Sequence, residues 1–301
     1  MPLWIPITVA AAFMQNLRSV LQKHLTGALS VGGATYVRFL YGLPIAALYL
    51  WVLLQSSQSA LPAPGLSFFI YGLIGGIGQI LGTFFLVSLF QYRVFAVGTA
   101  YSKTETVQTA LIGFVVLGDA ITPGAGLAIL ISMAGVLFLS LGHSSISFAR
   151  VLRSFKEKVA LTGLACGAAF GVASVSYRAA SLSLGMEGFA VPAAITLCYV
   201  LGIQTLIMTG WLFWRERGQL AAALRNWKWG ALTGLAGALG SIGWFSAMTL
   251  ENAAYVKALG QIELVFTFAA SWFIFKEKSN RQEVTGTLLI VAGLVVLVLT
   301  A

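Results

Sequence analysis

Charge is what this chain has least of. Eighteen basic and nine acidic residues are all it carries in 301, or 9%, where soluble domains hold about 25%. So few charges cannot cover a surface that faces water, and a soluble fold is excluded. Cysteine is nearly absent too: Cys166 and Cys198 both lie in apolar segments, so neither a disulfide framework nor a thiolate metal cluster is available. Asp119 is the only aspartate, the two histidines (His24 and His143) fall at the ends of apolar segments, and HExxH does not occur. Paired aspartates, a zinc site and a nucleophile elbow are therefore missing, and the chain reads as no enzyme, with no cofactor and no metal expected. A basic stretch ahead of the first apolar run is also lacking, so that run reads as an uncleaved helix, with Trp4 as an interfacial anchor.

What is abundant is apolar. Hydrophobic residues make up 58% and mean hydropathy is +0.90. Uncharged runs of roughly 20 residues recur, the length that crosses about 30 Å of hydrocarbon as helix. The expected fold is an all-α polytopic membrane protein with spans at 4–24, 31–54, 65–90, 94–116, 122–141, 158–184, 188–214, 228–250, 253–275 and 281–300. The net charge of +9 does not point to nucleic acid, because the basic residues are spread over short connections between spans.

The chain also repeats itself. Residues 96–141 fall on 254–299 at an offset of 158 with no gap, and Ala100/Ala258, Glu105/Glu263, Thr109/Thr267, Ala134/Ala292 and Gly135/Gly293 coincide. Gly72/Gly230, Gly76/Gly234 and Gly82/Gly240 extend the match upstream. The most polar connection in the first two-thirds, HSSISFARVLRSFKEK, separates five spans from five. Five is odd, so the second half enters from the opposite side. The expected plan is two inverted five-helix repeats, 1–142 and 158–301, joined by a basic loop at 143–157 and enclosing a central cavity, which is the plan of a transporter. The glycines read as helix packing. The run GGIGQILG at 75–82 lacks the strand and the ribose-binding acid of a nucleotide site.

Loop charges give an orientation. Thirteen Lys and Arg, from Lys23 and Arg93 to Lys278 and Arg281, lie in or beside the connections 1–2, 3–4, 5–6, 7–8 and 9–10. The other face and both termini hold none, only Asp119, Glu187 and Glu251. Both termini are expected outside.

Seven charged residues fall within spans: Arg18, Arg38, Lys103, Arg178, Lys257, Glu105 and Glu263. A lone carboxylate is expensive in a bilayer, so the acids kept in both halves draw the closest scrutiny. Two acids related by a pseudo-twofold would face a shared midplane space; equally, Lys103, Arg38 or Lys257 could lock them as packing elements. Both readings stand. Tyr101 shares a helix face with Glu105. Asn16, Gln79, Tyr177, Tyr199, Ser241 and Trp244 are candidates to line the same space, though each alone is ordinary interhelical packing. Together they describe an amphiphilic cavity with both charge signs, suited to a small zwitterion.

With TYVRFLYGLP at 35–44, VLGD ending one repeated stretch and IFKEK the other, followed by MAGVLFLSL or VAGLVVLVL, the chain resembles the drug/metabolite transporter superfamily in its EamA-type ten-helix branch, and within it amino-acid exporters. The resemblance implies a secondary transporter in the bacterial inner membrane. It would export or exchange small metabolites, amino acids first, by alternating access, as a monomer in the lipid bilayer. Anionic metabolites such as nucleotide sugars or sugar phosphates, or drugs, are the alternative cargo. Members of this branch are taken to keep both termini inside, and the loop charges here depart from that.

Overall fold

In the computed structural model the residues described are 1–57, 62–89, 101–142, 157–273 and 280–300. Among them there are helices and no strands: α1 Trp4–Leu25, α2 Val31–Ser57, α3 Leu66–Leu89, α4 Glu105–Leu117, α5 Pro123–Gly142, α6 Lys158–Ser183, α7 Ala190–Arg215, α8 Arg217–Arg225, α9 Trp227–Leu250, α10 Ala253–Gly260, α11 Ile262–Phe273 and α12 Arg281–Thr300. Six of these (α2, α3, α6, α7, α9 and α12) are long and apolar enough to cross a membrane. Leu111, Leu206, Leu288 and Leu299 are each more than 60% exposed. On a soluble protein such residues would form a large apolar surface; on a multi-pass membrane protein they face lipid. The basic loop at 143–156, the start of the fourth span at 94–100, and Glu277 in its polar turn lie outside the described residues.

The helices form two compact units, and each draws on both halves of the sequence. Unit 1 holds Met1–Ile77 and Ser176–Leu250; unit 2 holds Gly78–Val175 and Glu251–Ala301. In unit 1, α9 packs against α1 and α2, and α7 against α2, around Phe39, Leu197 and Leu212, which are fully buried. Gly234 lets α9 meet the α2 backbone, since a Cβ there would stand 2.7 Å from the Tyr41 carbonyl carbon. In unit 2, α5 and α12 make the most extensive pairing. A Cβ on Gly135 would stand 2.7 Å from the Gly286 carbonyl oxygen, and one on Gly293 2.9 Å from that of Ala128. Adding or subtracting 158 turns the first contact into the second, the mark of a local twofold between these two helices.

Three expectations are corrected. The fourth and ninth spans are not continuous helices: helix is interrupted at Lys103–Thr104 in one and at Gln261 in the other. The connection after α7 is not a plain loop but contains α8, whose basic ends and short length concealed its helical period. α8 packs on α2, and Tyr41 Oη donates to the Ala223 carbonyl at 3.3 Å.

Candidate functional site

The two interruptions fall at matching places in the repeat. Ser102 and Lys103 correspond to Gly260 and Gln261 at the 158 offset. At both, the backbone tightens from i→i−4 to i→i−3 bonding: Thr104 N donates to Tyr101 O at 3.1 Å, and Gln261 N to Ala258 O at 3.1 Å. Small residues at a break are a usual cause of such kinks. At the first break the Tyr101 carbonyl accepts a second bond as well, from Thr104 Oγ1 at 2.6 Å. Each break starts a new helix with an acid at its head. Glu105 is the first residue of α4, and Glu263 the second of α11.

These ends suit the charges placed on them. The first-turn N–H groups of a helix carry roughly half a positive charge, which favours a carboxylate by about 0.3–1 kcal/mol. Lys257 sits in the last turn of α10, where the opposite pole favours a cation. The acids therefore meet field that a continuous helix would not supply.

The breaks also touch one another across the two halves. Lys257 Nζ lies 2.7 Å from Glu105 Oε1 and Lys103 Nζ 3.6 Å from Glu263 Oε1. Gln261 Nε2 donates to Thr106 Oγ1 at 2.9 Å, a third link between halves. All four charged side chains keep 21–29% of their surface exposed, so they sit at an accessible edge of unit 2 rather than in its sealed core. α6 closes one side: a Cβ on Gly167 would stand 3.0 Å from Ser102 O and 3.1 Å from Glu105 N. Next to the first break lies a cavity of about 500 Å3, with Thr104 and Gln108 on its polar edge and Leu130, Met133, Leu164 and Ala168 as apolar wall. Gln108 Nε2 donates to Thr104 Oγ1 at 2.7 Å.

The remaining candidates are dispersed. Tyr101 is buried just ahead of the first break, and Gln79 lies half-buried on α3 in the same unit. Unit 1 holds the others. Tyr177 Oη donates to Gly75 O at 3.0 Å while its ring stacks on Phe245, and Tyr199 Oη donates to Phe69 O at 3.1 Å. Both bonds tie helices to α3, where Gly75 and Gly72 leave room for the rings. With Gly82 against Phe170 in unit 2, the GGIGQILG run is helix packing. Asn16 is half-buried on α1; Ser241 and Trp244 lie on α9, the first buried. Among the intramembrane cations, Lys103 and Lys257 meet the acids. Arg178 Nη1 instead donates to Met248 O at 2.8 Å near the end of α9, and Arg38 lies buried in unit 1 with no ion pair among the described residues.

The hydropathy of the two spans does not announce the helix breaks; the polar side chains Thr104, Gln108 and Gln261 beside the acids are the signal that the sequence carries there.

Residues 158–299 match the EamA-like transporter family, which takes in the second break with Lys257 and Glu263. A solved protein, described only as a crystal structure, superposes with a TM-score of 0.71 at 16% identity, covering 98% of this chain and 96% of that one. At that identity the likeness shows a shared fold. No curated protein matches the chain.

Proposed function

We propose that this chain is a secondary transporter of small metabolites, amino acids first, in the bacterial inner membrane. The observation that carries the reading is the pair of helix breaks at equivalent repeat positions, each headed by an acid and cross-linked to the other half. Interrupted helices whose ends carry ion-binding groups are how transporters build substrate sites near the bilayer midplane. The family match over 158–299 supports the class of activity.

The chemistry at the breaks favours a zwitterion. A substrate ammonium group can replace Lys257 or Lys103 beside a carboxylate, and its carboxylate can meet the displaced lysine. The ion pairs then reform when the substrate leaves, so no charge is left bare in either state. One chain contains both breaks and needs no second copy to complete the set. Alternating access would follow from exchange of these ion pairs as the helices on either side of each break shift.

The test is counterflow with purified protein in liposomes, screening amino acids against drugs and phosphate esters. Saturable amino-acid exchange in the wild type, lost in Glu105→Gln and Glu263→Gln, is the expected result. If no amino acid exchanges, the substrate class is wrong. If both variants exchange normally, the acids brace the helices and the site lies elsewhere.

A further inference from the structure

Between α7 and α9 the chain makes one short helix, α8, and its two faces differ. Glu216 at its cap, Gln219 and Ala223 follow one another at helical spacing and turn toward α2. Gln219 Oε1 accepts from Ser30 N at 2.9 Å, Glu216 accepts from Ser30 Oγ, and the Ala223 carbonyl accepts from Tyr41 Oη at 3.3 Å. These bonds fix α8 along the start of α2. The opposite face, formed by Arg217, Ala221, Leu224 and Arg225, is exposed. Leu224 shows 61% of its surface. An apolar side chain held outward between two arginines is what a helix lying in a membrane interface presents.

Arg215 and Lys228 flank α8, so residues 215–228 carry four cations, and Glu216 is the one acid in that stretch. All four cations are exposed, and none makes an ion pair among the described residues. Three lie over aromatic rings: Arg215 over Trp214 at 4.5 Å, Arg217 over Phe213 at 4.9 Å and Lys228 over Trp227 at 5.9 Å from the centroid. Arg217 is held further, because its Nε donates to Phe213 O at 2.9 Å. Phe213, Trp214 and Trp227 are themselves exposed. Both α7 and α9 are long and apolar enough to cross a membrane, so residues 215–228 lie where two spans leave the hydrocarbon, the depth at which tryptophan rings settle.

We infer that the outward face of α8, with the adjoining ends of α7 and α9, is a binding surface for an anionic phospholipid. Cations that face no acid call for an anion, while Leu224 and the open rings call for hydrocarbon. A soluble polyanion such as nucleic acid or an acidic peptide answers only the first. A phospholipid answers both, its phosphate meeting Arg217 and Arg225 and its chains lying against Leu224. The arginine stems lie along apolar surface with their charged heads at the phosphates, and each guanidinium can take two phosphate oxygens side by side. Because α8 is bonded to Ser30 and Tyr41, a lipid held there also braces the start of α2. The surface requires neither a particular leaflet nor a particular cargo.

Native mass spectrometry of the full chain tests this without any transport assay, using detergent micelles that contain equal phosphatidylglycerol and phosphatidylcholine. A cation near the surface favours an anionic headgroup about fivefold, so the wild type is expected to retain phosphatidylglycerol over phosphatidylcholine by more than about tenfold. The double variant Arg217→Gln with Arg225→Gln should bring the two lipids to within about twofold of each other, and Arg217→Lys with Arg225→Lys should keep most of the preference. Lys158→Gln with Arg281→Gln removes the same charge at two other exposed positions and should leave the preference intact. Unfolding midpoints of all variants, measured in detergent alone, show that each is folded. Glycerol phosphate, a headgroup without chains, should displace the lipid only at more than about a hundredfold higher concentration, since it forgoes the apolar contact. Displacement by glycerol phosphate at the lipid's own concentration means that the surface takes a soluble anion, and overturns the proposal. Equal retention of both lipids by the wild type, an undiminished preference in Arg217→Gln with Arg225→Gln, or an equal loss in Lys158→Gln with Arg281→Gln overturns it as well.

Discussion

Glu105 and Glu263 look interchangeable in the repeat, yet their surroundings differ by distance, and distance sets what each contributes. Lys257 approaches Glu105 to 2.7 Å, while Lys103 stays 3.6 Å from Glu263. With roughly a quarter of each side chain exposed, solvent screens both pairs well below the interior Coulomb energy. We expect a double-mutant cycle on Glu105→Gln and Lys257→Gln to return a coupling of about 1 kcal/mol, and that on Lys103 and Glu263 less than half of it. The measurement is unfolding in detergent of the four proteins in each cycle. Equal couplings would mean that the 0.9 Å difference has no energetic weight. The acids themselves were legible in the sequence, because a carboxylate kept twice in apolar spans stands out. Their lysine partners were legible only as a set of three cations, since which one reaches which acid depends on how α10 lies against α4.

At the scale of the element, helix contact in this chain depends on hydrogen-sized gaps. A Cβ on Gly286 would stand 2.6 Å from Leu139 N and 2.7 Å from Gly135 O; these are backbone atoms, and they cannot swing aside. Gly286→Ala is expected to separate α5 from α12 and cost about 1–3 kcal/mol of stability, as overpacking does elsewhere. Gly202→Ala and Gly210→Ala, where nothing lies within 4 Å of the new methyl, should be neutral or slightly stabilising. Comparing unfolding midpoints checks this, and equal losses at all three would remove packing as the reason for the glycines. Gly167→Val goes further: it drives α6 off Ser102 O and Glu105 N, so it should diminish transport along with stability. Most long helices followed from apolar length alone, and α5, α6, α9 and α12 start and end within about a turn of the expected spans. The breaks did not follow. A span of apolar residues around Ser102 or Gly260 satisfies the same hydropathy whether or not the backbone tightens there, and the tightening depends on Thr104 and Gln261 finding Tyr101 O and Thr106 Oγ1. α8 escaped for the opposite reason, since nine residues with arginine at each end read as a loop until α2 supplies a surface for it.

The repeat marks two halves along the chain, whereas the folded chain groups its helices otherwise, each unit taking part of both. That regrouping depends on contacts between distant segments, such as α1 with α9 and α5 with α12, and no local pattern announces it. The distribution of charge over the whole molecule is legible, however, and it makes the firmest prediction at this scale. The connection between α7 and α9 carries Arg215, Arg217, Arg225 and Lys228, and Trp214 and Trp227 pair with Arg215 and Lys228 as cation–π contacts at 4.5 and 5.9 Å. Cations near an anionic leaflet gain about 1 kcal/mol each, and aromatic rings settle at the headgroup level. The connection between α6 and α7 carries Glu187 and no cation. The first face should therefore be cytoplasmic and the second external, which puts both termini outside. In a background with Cys166 and Cys198 replaced, Glu187→Cys should react with a membrane-impermeant maleimide on intact cells. Gly218→Cys, at an exposed position of α8 with open space around it, should react only after permeabilisation. The reverse pattern would show that the thirteen cations are held on the external face, and that packing between the two halves, rather than loop charge, decides how this chain inserts.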